Sequence, residues 1–142
     1  MPKNELVTKY ARMWPRAIFD LFDDLEDGKR RKQLAIHRIK DLQSSGVYVL
    51  YIDDAPYYVG KATVLFKRLH DHANKFTDKY FNLWNYFSAF VVRKEHMSEV
   101  ERILIAAMPT ANSAAPRIGQ IILPLDMRKI LRKARTGKYE QA

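Results

Sequence analysis

The sequence predicts an α+β fold built on a small antiparallel sheet, and three observations lead to that prediction. The 142-residue chain is 47% hydrophobic and 12% aromatic, a composition typical of a globular protein rather than a disordered one. Two runs rich in β-branched and aromatic residues, GVYVLYI and YYVGK, lie on either side of DDAP, which indicates a β-hairpin. Helical patterns precede and follow this hairpin, so helices are expected to flank one sheet.

Residues 1–45 are predicted to form a helical N-terminal segment. Apolar residues recur at helical spacing from Leu6 to Trp14, and Pro15 can open a second helix that Gly28 ends. A third helical pattern, in KRRKQLAIHRIKDLQSSG, ends before Gly46.

Residues 46–112 are predicted to form the core of a single domain spanning 1–142. The hairpin is followed by a helix containing Leu65 and Leu69, by a third strand at NYFSAFVVR, and by a helix at SEVERILIAAM. Residues 113–142 are predicted to be a basic C-terminal extension that closes with the amphipathic helix PLDMRKILRKA.

The net charge of +9 favours a polyanionic partner such as nucleic acid, because cationic side chains release the counterions condensed on its phosphates. The segment MRKILRKARTGK contains no acidic residue; the alternative interpretation is a solvated helix face. The predicted nucleic-acid contacts in this segment are Arg128, Lys129, Arg132, Lys133 and Arg135.

Other features of the composition exclude classes of protein and site. The sequence has no apolar run of about 18 residues that could cross a membrane, and its N-terminus is too polar for a secretory signal. It contains no cysteine, so disulfides and thiolate metal sites are excluded. A cytoplasmic protein with no membrane partner is expected.

Tyr48 and Tyr58 lie on opposite arms of the predicted hairpin, and the length of its loop decides whether they share a face. Side chains alternate along a strand, so residues on one face pair with positions that give an even sum. A three-residue loop at 53–55 would place both phenols together. A two-residue loop at 54–55 would place them on opposite faces.

Arg68 and His72 are candidates for chemistry at a phosphate. They are four residues apart on the predicted helix, hence neighbours, and their face lies largely off the apolar stripe, so both are expected to point outward. An Arg guanidinium suits phosphate oxygens, and a His can share a proton. The alternative is a surface pair without function. The four histidines show no metal-binding spacing, so a histidine-built zinc site is not predicted.

Glu101 has two interpretations that exclude each other. Ser98 and Glu101 fit a capping box, in which the carboxylate reaches back to the Ser98 N–H. Alternatively, the carboxylate binds a hard cation such as Mg²⁺, with water and phosphate oxygens as the remaining ligands.

The ordered motifs are more specific than any single residue. GVY at 46–48, YVG at 58–60, KRLHDH around Arg68 and His72, ERILI from Glu101, and PTAN ending in Asn112 resemble the GIY-YIG nuclease family. The resemblance covers residues 46–112. The pattern E-x-x-L-I favours Glu101 over Glu99 as the functional acid.

The resemblance implies a three-stranded antiparallel sheet flanked by helices and a single divalent cation, Mg²⁺ or Mn²⁺, at Glu101. It further implies that Arg68 neutralises charge on the phosphate, that Tyr48 orients or deprotonates the attacking water, and that Tyr58 and His72 support the phosphate or the proton transfers. Asn112 is expected to position the site by hydrogen bonding. Lys61 and Lys67 are expected to contact nucleic acid.

The sequence therefore predicts a metal-dependent DNA endonuclease, with RNA not excluded, in a restriction, mobile-element or repair setting. One such domain is expected to nick a single strand, and a homodimer is one way to cut both. Two alternatives remain: a catalytically inactive nucleic-acid-binding module, and a subunit that docks into a larger complex through WPRAIFDLFDDLE.

Overall fold

The computed structural model describes residues 5–24, 32–112 and 118–135. The strands are β1 (Val7–Pro15), β2 (Phe22–Asp24), β3 (Lys32–Leu34), β4 (Gly46–Ile52), β5 (Ala55–Ala62) and β6 (Tyr86–Val92), and the α-helices are α1 (Leu65–Asn74), α2 (Met97–Ala107) and α3 (Leu125–Arg135). The main sheet is antiparallel with the order β1-β6-β4-β5, while β2 and β3 pair separately. The predicted α+β class is confirmed, with four strands in the main sheet rather than three.

The described N-terminal residues do not form the predicted α-helices. Their place is taken by β1, β2 and β3 and by 3₁₀ turns at Arg16–Asp20, Ala35–Arg38 and Lys40–Gln43. The pairing of β1 with β6 shifts register twice, once after Val7 and once between Ala11 and Trp14. These irregularities break the two-residue alternation of inward side chains, so the apolar spacing imitates that of a helix. Residues 1–4 and 25–31 of this predicted segment lie outside the described residues.

Alternate residues of the central strands face two different apolar layers. Tyr48 and Leu50 pack with Leu65 and Leu69 of α1 and with the N-terminal 3₁₀ turns. The opposite face packs against α2, and the buried residues of this second layer, from the sheet and the helix together, are Val47, Val49, Val59, Val92, Met97 and Val100. The sheet is therefore covered by helical elements on both faces.

The β4–β5 hairpin turns at Asp53 and Asp54, a two-residue loop that differs from both loops considered for the sequence. Ile52 pairs with Ala55. Asp53 adopts a φ of 55°, in the left-handed region that Asp tolerates better than most residues. Two hydrogen bonds link Asp53 to the Asn85 side chain, at 2.7 and 2.8 Å, and hold this turn against the chain before β6.

A β-bulge at Tyr57 decides which face the two tyrosines share. Below the turn the pairing changes register, so that Leu50 lies opposite Tyr58 and Tyr48 opposite Gly60, while Tyr57 has no partner in the ladder. The extra residue converts an odd pairing sum into an even one. The bulge therefore brings Tyr48 and Tyr58 to one face despite the two-residue loop.

The C-terminal helix α3 (Leu125–Arg135) is basic and amphipathic, as predicted. The side chains described along residues 118–132 are all exposed. Residues 113–117 and 136–142 of the predicted extension lie outside the described residues. Across the described ranges, none of the helices combines the length and apolar character that crossing a membrane requires.

Candidate active site

Tyr48 and His72 meet in the layer between the sheet and α1. The Tyr48 hydroxyl lies 2.7 Å from His72 Nε2, and the two residues are only 1% and 0% exposed. Gly60, opposite Tyr48, makes room for the phenol, because a Cβ atom at this position would overlap the Tyr48 ring. The glycine of the YVG motif thus has a direct steric role.

The expectation that both Arg68 and His72 point outward was wrong for His72. Arg68 is exposed, but His72 is buried with Leu65, Leu69 and Ala73. The physical reason is that His72 follows Leu65 by seven residues, almost two full helical turns, and so shares its buried face. A buried imidazole needs partners for both ring nitrogens.

Asp78, in the loop after α1, is the second partner of His72. Its Oδ1 atom lies 2.8 Å from His72 Nδ1 and also accepts a 2.8 Å hydrogen bond from the Tyr80 N–H. The sequence reasoning missed Asp78, because no helix or strand period relates a loop residue to the helix before it. An acidic residue soon after the candidate histidine was the only available signal.

The pKa values of this pair follow from burial and from their contact. Burial lowers the pKa of His72 below its ordinary value, although the Asp78 carboxylate acts in the opposite direction. Burial acts to raise the pKa of Asp78, but the hydrogen bonds from His72 and the Tyr80 N–H outweigh it and lower that pKa. The pair is therefore a neutral imidazole beside an ionised carboxylate at neutral pH.

Tyr48 does not have the lowered pKa that would make it a strong base by itself. Burial, and then the neighbouring Tyr58, raise the pKa of the Tyr48 phenol far above its ordinary value, although Arg68 acts against this. The charge of Arg68 is thus not enough, in the protein alone, to bring the pKa of Tyr48 below its ordinary value. Tyr48 therefore keeps its proton at neutral pH.

Tyr58 and Arg68 border the buried pair toward solvent. The rings of Tyr48 and Tyr58 are 6.2 Å apart, and Tyr58 packs edge-on against Tyr80 at 4.3 Å. The Arg68 guanidinium lies close enough to Tyr48 for its charge to act on the phenol. Four of the predicted residues are therefore gathered in one place: Tyr48, Tyr58, Arg68 and His72.

Two clefts with basic linings meet at Arg68. One, of about 350 Å³, is lined by Tyr58, His72 and Asp78 together with Lys75 and Lys79. The other, of about 310 Å³, includes the predicted residues Lys61 and Lys67. Arg68 contributes to both linings, and the sequence analysis did not single out Lys75 and Lys79. These lysines suit a phosphate backbone that passes on both sides of Arg68.

Glu101 does not act as a helix cap. Helix α2 begins at Met97 with His96 as its N-cap residue, and that end has no side-chain cap hydrogen bond. The Ser98 hydroxyl instead accepts a 2.8 Å hydrogen bond from Lys61 Nζ. The capping-box alternative is therefore excluded, and the carboxylate remains available to a ligand.

The Glu101 carboxylate suits a cation site in which water and the substrate supply the remaining ligands. Burial raises the pKa of the Glu101 carboxyl, while Lys61 and Arg102 act to lower it. Its charge also acts on Tyr58, which places the carboxylate near the cluster. In the part of the chain that the structure describes, no group of three or more His, Cys, Asp or Glu side chains converges as a ready-made metal site. A lone carboxylate completed by water and phosphate oxygens is the arrangement typical of Mg²⁺.

Asn112 holds the edge strand of the sheet. Its side-chain amide accepts from the Val59 N–H at 3.0 Å and donates to the Val59 carbonyl at 2.8 Å. The neighbouring Ala111 N–H donates to the Tyr57 carbonyl at 2.7 Å. Asn112 thereby occupies the free hydrogen-bonding edge of β5 next to Tyr58, a placement compatible with the predicted positioning role.

The three predicted basic contacts on α3 whose side chains the structure describes do not line either cleft. Arg128, Lys129 and Arg132 are exposed and line neither cleft. The backbones of Lys133 and Arg135 are helical, but their side chains lie outside the described part of the structure. These five residues stay a prediction.

Comparison with known proteins finds similarity to solved structures alone. No protein-family model and no curated protein matches the chain. The chain is similar to the magnesium-bound GIY-YIG N-terminal endonuclease domain of UvrC from Thermotoga maritima, with 27% sequence identity, a TM-score of 0.41, and coverage of 53% of this chain and 92% of that domain. A Tyr-to-Phe mutant of the same domain, bound to the catalytic divalent cation, has 26% identity and the same TM-score, with coverage of 53% and 91%. These domains carry the name of the family that the ordered motifs resemble.

Proposed function

We propose that this protein is a metal-dependent DNA endonuclease that hydrolyses one phosphodiester bond per encounter. The observation that carries the proposal is the convergence of a buried Tyr48–His72 pair and an exposed Arg68 at the junction of two basic clefts. The uncapped Glu101 carboxylate is close enough to Lys61 and Tyr58 for their charges to interact. A nuclease needs a route for the proton of water, cations for the phosphate, and a path for the nucleic-acid backbone. The cluster contains a candidate for each.

Glu101 is the residue that would hold the divalent cation, Mg²⁺ or Mn²⁺. When bound, the cation supplies Lewis-acid stabilisation of the phosphate oxygens and of the leaving oxygen. Lys61, held by Ser98 at 2.8 Å, lies close enough to act on the Glu101 carboxylate. It can contact a neighbouring phosphate from that position.

The buried pair provides a path for the proton of the attacking water. In the proposed step, the water oxygen forms the new bond to phosphorus as the bond between phosphorus and the leaving oxygen breaks, and the leaving oxygen takes a proton from solvent. The proton of the attacking water passes to the Tyr48 oxygen. The phenol proton passes at the same time to His72 Nε2, 2.7 Å away, so Tyr48 never becomes a free phenolate. This route suits a phenol whose pKa is raised by burial, because a concerted transfer avoids the charged form that burial disfavours.

Arg68 is placed to neutralise the charge that gathers on the phosphate oxygens. Its guanidinium lies near Tyr48 and can present donors to the substrate, since an Arg has five N–H groups in a fixed fork. Lys67 in one cleft and Lys75 and Lys79 in the other can contact phosphates on either side of the scissile one. Asn112 is proposed to keep β5, and with it Tyr58, in place.

A supercoiled-plasmid nicking assay tests the proposal, with and without Mg²⁺ or Mn²⁺. We expect metal-dependent nicking by the wild type and a loss of about 100-fold or more in Glu101→Gln, since the neutral amide is a poor cation ligand. Glu99→Gln is the matched control, because Glu99 lies on the same helix and is exposed. It should nick like the wild type. Circular dichroism establishes that both variants are folded.

Each other outcome has a definite meaning. Full activity in folded Glu101→Gln would refute the metal assignment, and loss in Glu99→Gln alone would transfer it to the neighbouring acid. Salt-sensitive DNA binding without nicking under any metal would support the inactive binding module instead. Cleavage of RNA in preference to DNA would correct the substrate. Linear plasmid at the first time points would indicate that two copies act together.

A further inference from the structure

The Asp78 carboxylate determines which nitrogen of His72 carries a proton. A carboxylate can only accept hydrogen bonds, and its Oδ1 atom lies 2.8 Å from His72 Nδ1, so Nδ1 must be the donor. Burial lowers the pKa of His72, so the ring is neutral and has one proton. Nε2 is therefore the bare nitrogen, and it is the atom that faces the Tyr48 hydroxyl.

The opposite tautomer would place two acceptors against each other. With its proton on Nε2, the ring would force the Tyr48 oxygen to accept, and Nδ1 would face the carboxylate with a lone pair. The Nδ1–Asp78 contact would then be repulsive inside a buried site, where an unmade hydrogen bond costs about 1–3 kcal/mol, while the Tyr48 contact would survive with its direction reversed. Asp78 thus controls the direction of the Tyr48–His72 hydrogen bond from the far side of the ring.

The loop after α1 is built to hold Asp78 in this position. The Tyr80 N–H bonds the same Oδ1 atom at 2.8 Å, and Asp78 forms two backbone turns, its N–H to Lys75 and its carbonyl to Phe81. Trp84 Nε1 donates to the His72 carbonyl at 3.3 Å. The side chain of Asp78 is only 9% exposed. Asp78 is therefore a mostly buried carboxylate with two hydrogen-bond partners, unlike a solvated charge on the surface.

We propose that Asp78 is a positioning residue: it fixes His72 in the Nδ1–H tautomer, so that Nε2 can receive the Tyr48 proton during cleavage, and it stabilises the imidazolium that results. The catalytic part rests on the proposed function. The tautomer is a property of the protein alone. Tyr48 of β4 and Asp78 are the groups bonded to the ring. The titratable and charged groups that face His72 from the elements around it are Tyr48, Tyr58, Arg68, Asp71, Asp78 and Tyr80.

Nuclear magnetic resonance of ¹⁵N-histidine-labelled protein measures the tautomer without any substrate. Two-bond correlations distinguish protonated from bare ring nitrogens, and the His72→Gln variant assigns the signals among the four histidines. At neutral pH we expect a protonated Nδ1 and a bare Nε2 at His72 in the wild type. In Asp78→Asn we expect a mixture or the reverse, because an amide no longer obliges Nδ1 to donate. A wild-type His72 with its proton on Nε2 would overturn the proposal even if no variant folds.

Nicking kinetics then test the catalytic part in the full chain. Asp78→Asn should lower kcat by about 100-fold or more with little change in KM, as when an orienting carboxylate is removed from a histidine base. Removing the carboxylate lowers the pKa of His72, so the acid limb of the pH–rate profile should shift to lower pH. A purely structural role would leave that limb where it is.

Asp71→Asn is the matched control. The Asp71 carboxylate also acts on His72 through its charge, but the two ring nitrogens are bonded to Tyr48 and Asp78 instead. In Asp71→Asn, kcat should therefore stay within about twofold of the wild type, and the tautomer of His72 should not change. A pH profile that moves as much in Asp71→Asn as in Asp78→Asn would overturn the positioning role. An inactive wild type with the expected tautomer would refute the proposed endonuclease while supporting the control of His72 by Asp78.

Discussion

The two faces of strand β4 are equally buried but chemically opposite. Val49 and Tyr48 are neighbours in sequence, and each is 1% exposed. Val49 packs among valines against α2. Tyr48 begins a chain of hydrogen bonds through His72 to Asp78, with contacts of 2.7 and 2.8 Å. Burial alone therefore does not distinguish the packing face from the candidate catalytic face, whereas the buried polar groups do.

Stability does not require the polar face. A buried hydroxyl or imidazole is tolerated only with hydrogen-bond partners, and apolar side chains of the same shape would fill the space at similar or lower cost. The valine face illustrates that simpler solution on the same strand. The three-residue polar chain is thus best explained by its chemistry, and the comparison can be tested by altering each face separately.

The largest expected contrast is between Tyr48→Phe and Val49→Ala. Tyr48→Phe keeps the ring but removes the proton path, so nicking should fall by about 100-fold or more. Its unfolding free energy should change by only about 1–2 kcal/mol, because His72 loses one partner. Val49→Ala should cost about 2 kcal/mol of stability through lost burial and a cavity, with nicking close to the wild-type rate. Single-turnover nicking and urea denaturation measure the two effects.

The contrast between the two faces would be contradicted if the loss of nicking and the loss of stability did not fall on different variants. Wild-type nicking by Tyr48→Phe would show that the phenol packs without reacting. Strong loss of nicking in a fully folded Val49→Ala protein would show that the apolar face also controls the site.

A smaller effect is expected from Gly60→Ala, which alters the polar face without removing any of its functional groups. The new Cβ atom would overlap the Tyr48 ring and lie 3.0 Å from its Cε1 atom, so the phenol must leave its present position against His72 Nε2. We expect a loss of about 1–3 kcal/mol in stability from overpacking. Nicking should fall by about tenfold or more, as a catalytic hydrogen bond is misplaced.

Gly119→Ala provides the matched control for this substitution. Nothing in the described structure lies within 4 Å of a Cβ atom at that position. Its nicking rate and unfolding midpoint should match the wild type. A Gly60→Ala protein that equals Gly119→Ala in both measurements would contradict the steric role of the YVG glycine.

The hairpin illustrates how much of the site the sequence could predict. Residue type and periodicity predicted both strands, the helix after them and the helix that bears Glu101, because these elements follow regular patterns. They did not predict the bulge at Tyr57. Alternation within a strand assumes that no residue is inserted, and a bulge leaves no periodic signature. The shared face of Tyr48 and Tyr58 was therefore open from the sequence and decided by the fold.

Asp78 and β1 were out of reach for related reasons. Asp78 contacts His72 through a loop whose turns depend on hydrogen bonds that periodicity does not describe. Strand β1 has two register shifts, which gave it the apolar spacing of a helix. In both cases tertiary pairing, rather than local propensity, determined the structure.

The smallest effect expected is a pH dependence of stability that the polar face has and the valine face lacks. Burial lowers the pKa of His72 in the folded protein, although Asp78 acts in the opposite direction. In the unfolded chain, the pKa of this histidine is about 6.5. As the pH falls below that value, the unfolded state binds more protons than the folded one, so the free energy of unfolding must decrease. Above it, both states are neutral at this residue and its contribution is constant.

Thermal unfolding between pH 7.5 and pH 5.5 measures this contribution. The melting temperature of the wild type should fall more steeply across the range than that of His72→Gln. Glu101 has the opposite sign, because burial raises the pKa of its carboxyl and protonation there favours the folded state. It remains in both proteins and cancels in the comparison. If the melting temperatures of the two proteins fell in parallel, His72 would titrate alike in the folded and unfolded states. That result would contradict the neutral buried imidazole on which the proposed Tyr48 proton path depends.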